Sequence, residues 1–103
     1  MSDQTAKSDA GKPRLSLVPM AIVWAVAYVR GWAVTHKYKD KDNWRKVEPE
    51  RYKDALLRHI TAYIDDEDSV DEESGLLHLW HAACNICFLI ALRWKRDKER
   101  LAG

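Results

Sequence analysis

The segment from residue 74 to the low nineties constrains the fold most, because it is apolar nearly all round and yet carries one polar stripe. At about 100° per residue, a helix here places Ser74, His78, His81 and Asn85 within about 60° of one another. Bulky apolar side chains cover much of the remaining surface. Such a helix is buried, and polar groups along it need hydrogen bonds, a metal ion or a liganded cavity. The stripe is therefore either one wall of a functional site or a hydrogen-bond network between helices.

Two further helices are predicted upstream, and each begins at a proline, which suits the first turn of a helix. They span residues 19–34 and 49–64, and the third helix spans about 74 to the low nineties before it frays over 95–100. No alternation of apolar and polar residues predicts a strand. The sequence therefore predicts an all-α fold class, a small bundle of three main helices. The domain organisation that we assign is a flexible N-terminal segment at 1–12, one helical domain at 13–96 and a frayed C-terminal tail at 97–103.

The small size of the chain predicts a partner. Its 103 residues allow one domain, and five tryptophans help to build a core, but a domain of this size is marginal alone. We therefore expect a homo-oligomer whose assembly completes the bundle. The formal net charge is +1, which argues against general nucleic-acid binding because such proteins usually carry a strong basic excess.

Two apolar runs resemble membrane spans but do not meet the requirements. Residues 15–29 are too few and contain Pro19, while residues 76–94 are interrupted by histidines and an asparagine. A spanning helix needs about 20 predominantly apolar residues. The N-terminus is polar, with acidic as well as basic residues, and lacks the pattern of a secretory signal. The sequence therefore predicts a cytoplasmic protein that does not associate with a membrane.

The two cysteines, Cys84 and Cys87, lie in the apolar part of the third helix. A lone C-x-x-C pair can bind metal, act in redox chemistry or pack in a core. On a helix the second cysteine follows the first after about 300° of rotation around the axis, and both lie in a background of isoleucine and leucine. We therefore predict that both cysteines are packed in the core.

An acidic stretch precedes the third helix and supports the idea of a metal site. Residues 65–73 hold seven carboxylates in nine positions and no basic residue. A divalent cation relieves such repulsion, and oxygen ligands suit Mg²⁺ or Mn²⁺, whereas added imidazole widens the choice to transition metals. The alternative is a solvated acidic loop in which Ser69 and Glu72 form a capping box at the start of the helix.

Basic residues recur in the second helix and in the charged loop at 35–47. Arg58, which lies next to His59, either contacts a phosphate group, supports a metal ligand or pairs with Asp54 one turn earlier. Lys37 and Arg45 in the loop supply further anion contacts. Basic side chains opposite a carboxylate-rich metal site match a polyphosphate substrate, because the metal takes phosphate oxygens while the cations neutralise the remaining charge.

Four sequence blocks occur in an order that resembles a known family: SDAGKPRLSLVP, HKYKDKDNW, ALLRH and DEESGLLHLWHAACN, across residues 8–92. They resemble the phage-associated dATP/dGTP diphosphohydrolase N-terminal domain, which is similar in outline to the all-α MazG-like nucleotide pyrophosphatases. The resemblance implies cleavage of a nucleoside triphosphate to monophosphate and pyrophosphate, with Mg²⁺ held by carboxylates on paired helices, in the cytoplasm of an infected host. The two E-x-x-E/D pairs of the MazG-like pattern are absent, because ESGLLHLWH places histidine where carboxylate is expected.

We therefore hypothesise an all-α, metal-dependent (deoxy)nucleoside triphosphate diphosphohydrolase in which water attacks a phosphoanhydride. The cofactor is Mg²⁺ or Mn²⁺, or a transition metal bound by histidine. Trp44 or Tyr38 either stacks on the base or anchors the loop. Two alternatives are a non-catalytic nucleotide-binding protein with the same pocket and an oligomeric interaction protein in which the histidines are structural. The candidate residues are Glu72, Glu73 and His81 for catalysis; Lys12, Lys37, Tyr38, Asn43, Trp44, Arg45 and Arg58 for substrate binding; and His59, Glu67, Asp71, Glu73, His78 and His81 for the metal.

Overall fold

The computed structural model describes residues 11–102, and this part of the chain is helical. Three α-helices follow in chain order: α1 at Ala21–His36, α2 at Pro49–Asp65 and α3 at His78–Ala102. Short 3₁₀ turns lie at Leu15–Leu17 and Asn43–Lys46. The predicted all-α fold class with three main helices is confirmed.

The first two helices begin and end close to their predicted bounds. In α2, Pro49 occupies the first turn, Glu48 precedes it in an extended conformation, and Glu50 adds a negative charge to the first turn. Proline lacks the N–H that a first turn leaves unpaired, and a carboxylate there interacts favourably with the helix dipole. Local chemistry of this kind needs no tertiary contact, which is why the sequence located α2 well.

The start of α3 differs from the prediction, because the helix begins at His78 and not near Ser74. Gly75 has a φ of 73°, a left-handed conformation that interrupts a right-handed helix. The capping box predicted around Ser69 is also wrong. The Ser69 hydroxyl donates to the carbonyl of Ala62 in α2, and the Ser69 carbonyl accepts from His78 N at 3.1 Å. The acidic stretch therefore ends in a tight turn that is bonded to both flanking helices.

The far end of α3 also extends beyond its predicted bound. The helix continues to Ala102, through the segment expected to fray, and Arg93 donates to Asp97 at 2.8 Å one turn later. Of the flexible segment predicted at 1–12, only residues 11 and 12 fall in the described range, and the remainder lies outside the described residues.

Helix α3 packs against both α1 and α2, and small side chains form the centre of this contact. The buried apolar residues are Ala25 and Val29 of α1 and Ala82 and Cys84 of α3. Small residues allow close approach of the helix backbones. The packing predicted for the cysteines holds for Cys84, which is buried, but is wrong for Cys87, which is exposed.

One face of α3 is apolar and yet exposed, contrary to the expectation that the helix is buried all round. Leu79, Ile86, Ile90 and Trp94 are 41–53% exposed. Leu79, Ala83, Ile86 and Ile90 are spaced by four, three and four residues, the pattern of a helix–helix seam. We call these four residues the α3 seam. In the described range, no helix is both long enough and apolar enough to cross a membrane.

Self-association stays a prediction, and the α3 seam gives it a specific test. Replacing Ile86 and Ile90 together with glutamate places charges where a second apolar helix is expected, so the double variant should be monomeric while the wild-type protein is oligomeric. The measurement is mass by light scattering after size-exclusion chromatography. Leu57→Glu, at an exposed position of α2, is the matched control and should keep the wild-type mass. A monomeric wild-type protein would contradict the prediction.

Candidate functional site

A cleft of ≈ 450 Å³ lies where the three helices and the loop between α1 and α2 meet. It draws side chains from segments that are far apart in the sequence. The size falls in the range of about 300–1,000 Å³ that is usual for small-molecule sites. The predicted site residues that line it are Lys37, Tyr38, Asn43, Trp44, Arg58, His59, Asp71, Glu73 and His81.

At one end of the cleft, three histidines from two helices are in contact. His59 of α2 places its Nδ1 2.8 Å from Nδ1 of His78, so one of these nitrogens donates its N–H to the other. The ring of His59 also stacks on that of His81, with centroids 4.7 Å apart. His78 and His81 lie one turn apart on α3, so both can meet a single residue of α2. We call His59, His78, His81 and Asp71 the histidine cluster.

Asp71 supplies the carboxylate of the histidine cluster, and the turn before α3 holds it in place. Its Oδ2 accepts from the backbone N–H of Ser74 at 2.9 Å, and its own N–H donates to the carbonyl of Leu76 at 2.8 Å. Gly75 N donates to the carbonyl of Asp71 at 2.7 Å, which closes the turn. Burial raises the pKa of Asp71, but the hydrogen bonds from Ser74 and the nearby imidazoles lower it more, and the net pKa lies below its ordinary value. Asp71 is therefore ionised near neutral pH.

The imidazoles of His59 and His81 are held neutral near pH 7. Burial, followed by the neighbouring charges of His81 and His78, lowers the pKa of His59 to about 4. Burial also lowers the pKa of His81, despite the opposing effect of Asp71. The Ser74 hydroxyl lies 2.7 Å from Nε2 of His81 and orients that ring. Neutral imidazoles retain a lone pair, which is the form that accepts a proton or ligates a metal.

One cationic side chain of the cleft is already paired. Lys37 Nζ lies 3.0 Å from a carboxylate oxygen of Glu73, and this hydrogen bond raises the pKa of Lys37. Glu73, predicted as a catalytic residue and as a metal ligand, is thus brought to the cleft but engaged by a lysine. Both side chains remain substantially exposed, so the pair is screened by water and contributes little to stability.

Several cleft residues were missed by sequence reasoning. Arg30 of α1 and Arg51 of α2 line the cleft, together with Tyr52 and Phe88. The guanidinium of Arg30 lies over the ring of Phe88 at 5.3 Å and donates to the carbonyl of Lys41. An arginine within the apolar run of α1 is a signal that could have found Arg30, because a charge there needs a partner. Arg51 carries no comparable signal.

Trp44 anchors the loop between α1 and α2 against α3. Trp44 stacks on Phe88 of α3, with centroids 4.9 Å apart and an interplanar angle of 10°. The guanidinium of Arg45 lies over the Trp44 ring at 4.4 Å. The hydroxyl of Tyr52 donates to the carbonyl of Trp44 at 2.8 Å, and burial raises the pKa of Tyr52 to about 12. For Trp44 these contacts support the anchoring alternative, whereas Tyr38 remains 42% exposed at the cleft.

The remaining candidates do not line the cleft. Lys12, Glu67 and Glu72 are exposed, and Arg45 lies against Trp44. His78 lies next to His59 at the edge of the cleft. The binding and catalytic roles assigned to these five residues stay predictions.

The polar stripe and the predicted Arg58–Asp54 pair differ from expectation in their partners. Asn85, the last member of the polar stripe, buries its Oδ1, which accepts no hydrogen bond from any described residue.

In the described part of the chain, no ion pair joins Arg58 to Asp54, so the arginine faces the cleft without that partner.

Comparison with known proteins identifies the family. The sequence profile described as "dATP/dGTP diphosphohydrolase, N-terminal" matches residues 2–100. The chain belongs to this family. The resemblance seen in the four sequence blocks is thereby confirmed across nearly the whole chain.

A relative of this chain comes from Salmonella phage PMBT28 and is named dATP/dGTP diphosphohydrolase. The two are 34% identical over 86 residues, which cover 84% of this chain and 29% of the relative. The chain therefore spans less than a third of the length of that protein. No solved structure matches the chain.

The turn that holds Asp71 yields a prediction about stability. A Cβ added at Gly75 would meet nothing within 4 Å, so the cost of Gly75→Ala comes from its left-handed backbone. This substitution should lower the free energy of unfolding by about 1–2 kcal/mol. Gly31→Ala is the matched control, because Gly31 also has open space around it but lies inside α1. It should raise the free energy of unfolding by up to about 1 kcal/mol.

The free energies of unfolding of Gly75→Ala and Gly31→Ala are measured by urea unfolding, which is monitored by circular dichroism. Equal stability of Gly75→Ala and the wild-type protein would show that the turn before α3 does not require a left-handed residue.

Proposed function

We propose that this domain binds (deoxy)nucleoside triphosphates in its cleft and hydrolyses them to monophosphate and pyrophosphate in a reaction that depends on a divalent cation. One observation carries the proposal: the cleft sets the histidine cluster beside arginine and lysine side chains. The name of the PMBT28 relative supports dATP and dGTP as the first substrates to test. We place the activity in the cytoplasm of an infected host.

The cationic side chains of the cleft suit a triphosphate. Arg30, Arg51 and Arg58 line it, and no ion pair occupies them within the described residues. Guanidinium groups bind phosphate oxygens in a bidentate manner, and such charge-assisted hydrogen bonds are stronger than neutral ones. Among the anions of the cleft, Glu73 is paired with Lys37 and Asp40 with Lys46. The arginines therefore have capacity left for a phosphate chain.

The residues present also fit a divalent cation. His59, Asp71 and His78 each offer one ligand atom, and these atoms lie within 4.8 Å of one another. A cation bound there would neutralise charge on the phosphate oxygens and lower the pKa of a bound water.

Side chains of this domain would accept the proton from water and stabilise the leaving group. His81 is neutral, is oriented by the Ser74 hydroxyl and has its Nε2 3.8 Å from Asp71, so it can accept a proton from an attacking water and be stabilised as imidazolium. The arginines hold the phosphates and stabilise the charge that develops on the pyrophosphate leaving group.

A substitution at the phosphate end of the cleft tests this arrangement. Arg58→Ala removes a charge-assisted hydrogen bond worth about 1.5–3 kcal/mol, so KM for dATP or dGTP should rise by roughly 10- to 100-fold. Arg100→Ala, at an exposed position near the end of α3, is the matched control and should behave like the wild-type protein. The assay is release of pyrophosphate from each of the four dNTPs, with Mg²⁺ or Mn²⁺ present.

The same assay separates the alternative functions. A non-catalytic nucleotide-binding role is favoured by one observation: the pairing of Glu73 with Lys37 leaves Asp71 as the carboxylate of the histidine cluster. Binding of dNTPs without release of pyrophosphate would overturn the enzymatic proposal and support that role. Absence of both binding and hydrolysis would favour the oligomeric interaction protein.

A further inference from the structure

We propose that His59, Asp71 and His78 form a transition-metal site that binds Zn²⁺, Co²⁺ or Mn²⁺ in preference to Mg²⁺, and that does so before nucleotide is present. The inference rests on the proposed function in that it names the cation of the same site. It departs from the magnesium-and-carboxylate arrangement that the MazG-like resemblance implies.

The donor atoms determine this preference. The site offers two imidazole nitrogens and one carboxylate. Imidazole is a good ligand for zinc, cobalt, nickel and iron, whereas Mg²⁺ prefers oxygen ligands in octahedral geometry and keeps several waters. The carboxylates that would make an oxygen-rich cage are elsewhere: Glu67 and Glu72 are exposed, and Glu73 is paired with Lys37.

The separation of the two imidazole nitrogens fits a shared ion. Nδ1 of His59 and Nδ1 of His78 are 2.8 Å apart. Two nitrogens that each lie about 2.1 Å from one ion are roughly 3.0–3.4 Å apart, depending on the angle between the bonds. The rings therefore need to separate by only a few tenths of an ångström, and the N–H that now joins them would be exchanged for two bonds to the metal.

Groups outside the ligand set hold the site in this geometry. The backbone N–H of Ser74 orients the Asp71 carboxylate, and the ring of His81 stacks on that of His59. His59 lies within α2 and His78 begins α3, so both ligands are on regular helices. Supporting contacts of this kind orient metal ligands and commonly change affinity by about 10- to 100-fold. The site is thus built before the metal arrives.

The experiment uses the tag-free chain after treatment with a chelator, and no nucleotide. Zn²⁺, Co²⁺, Mn²⁺ and Mg²⁺ are titrated separately by calorimetry, and the metal retained after gel filtration is measured by mass spectrometry. We expect one transition-metal ion per chain, an affinity order of Zn²⁺ over Co²⁺ over Mn²⁺, and much weaker binding of Mg²⁺. The visible spectrum of the Co²⁺ form reports nitrogen ligation directly.

Three variants assign the ligands. Asp71→Asn keeps an oxygen that can accept from Ser74 N but removes the charge, and His78→Ala removes one imidazole; each should weaken Zn²⁺ binding by at least about 100-fold. His36→Ala is the matched control, because His36 is exposed at the end of α1, and it should bind as the wild-type protein does. Circular dichroism verifies that each variant is folded.

The outcomes separate this inference from the proposed function. Failure of the wild-type chain to retain Zn²⁺, wild-type binding by both folded ligand variants, or equal affinity for Mg²⁺ would overturn the transition-metal site. Pyrophosphate release that Mg²⁺ supports equally in Asp71→Asn would overturn it as well, while leaving hydrolysis intact. Stoichiometric Zn²⁺ binding that both ligand variants abolish, in a chain that releases no pyrophosphate, would uphold the site and overturn the enzymatic proposal.

Discussion

The contact between His59 of α2 and the two histidines of α3 is the interaction on which the rest of the structure depends. It is where α2 and α3 bring polar groups together between otherwise apolar surfaces. Burying imidazoles is unfavourable unless they are hydrogen-bonded, so the geometry of the contact is constrained by its partners. The Ser74 hydroxyl of the preceding turn is hydrogen-bonded to His81 Nε2, and the Asp71 carboxylate lies 3.8 Å from the same nitrogen. The histidines therefore link the packing of the helices to the chemistry of the cleft.

The turn before α3 converts an acidic run into a single positioned carboxylate. Of the seven acidic residues at 65–73, Asp71 alone has its side chain in the histidine cluster. Backbone hydrogen bonds and the left-handed Gly75 determine which carboxylate points inward. Exposed members such as Glu67 and Glu72 add negative charge near the start of α3, where it is favourable, without lining the cleft. The number of acidic residues therefore indicated this stretch, but it could not by itself distinguish Asp71 from the exposed carboxylates, Glu67 among them.

Prediction from sequence succeeded where local patterns carry the information. Prolines and apolar periodicity located α1 and α2, and the polar stripe indicated the histidines and Ser74. It failed where the partner is distant in the sequence. The stacking of Trp44 on Phe88, the position of Arg51 in the cleft and the pairing of Glu73 with Lys37 all join different elements. Such contacts leave no periodic trace in a single sequence.

The sequence by itself determined the helical class, the family and the identity of most of the polar side chains that line the cleft, because helix signals and ordered motifs are local properties of the chain. Only the tertiary structure decided which of those residues touch. It placed His59 against His78, set Asp71 beside them and left the α3 seam exposed. The physical reason is that a ligand set is defined by distances between elements, and the packing of α2, α3 and the turn determines those distances.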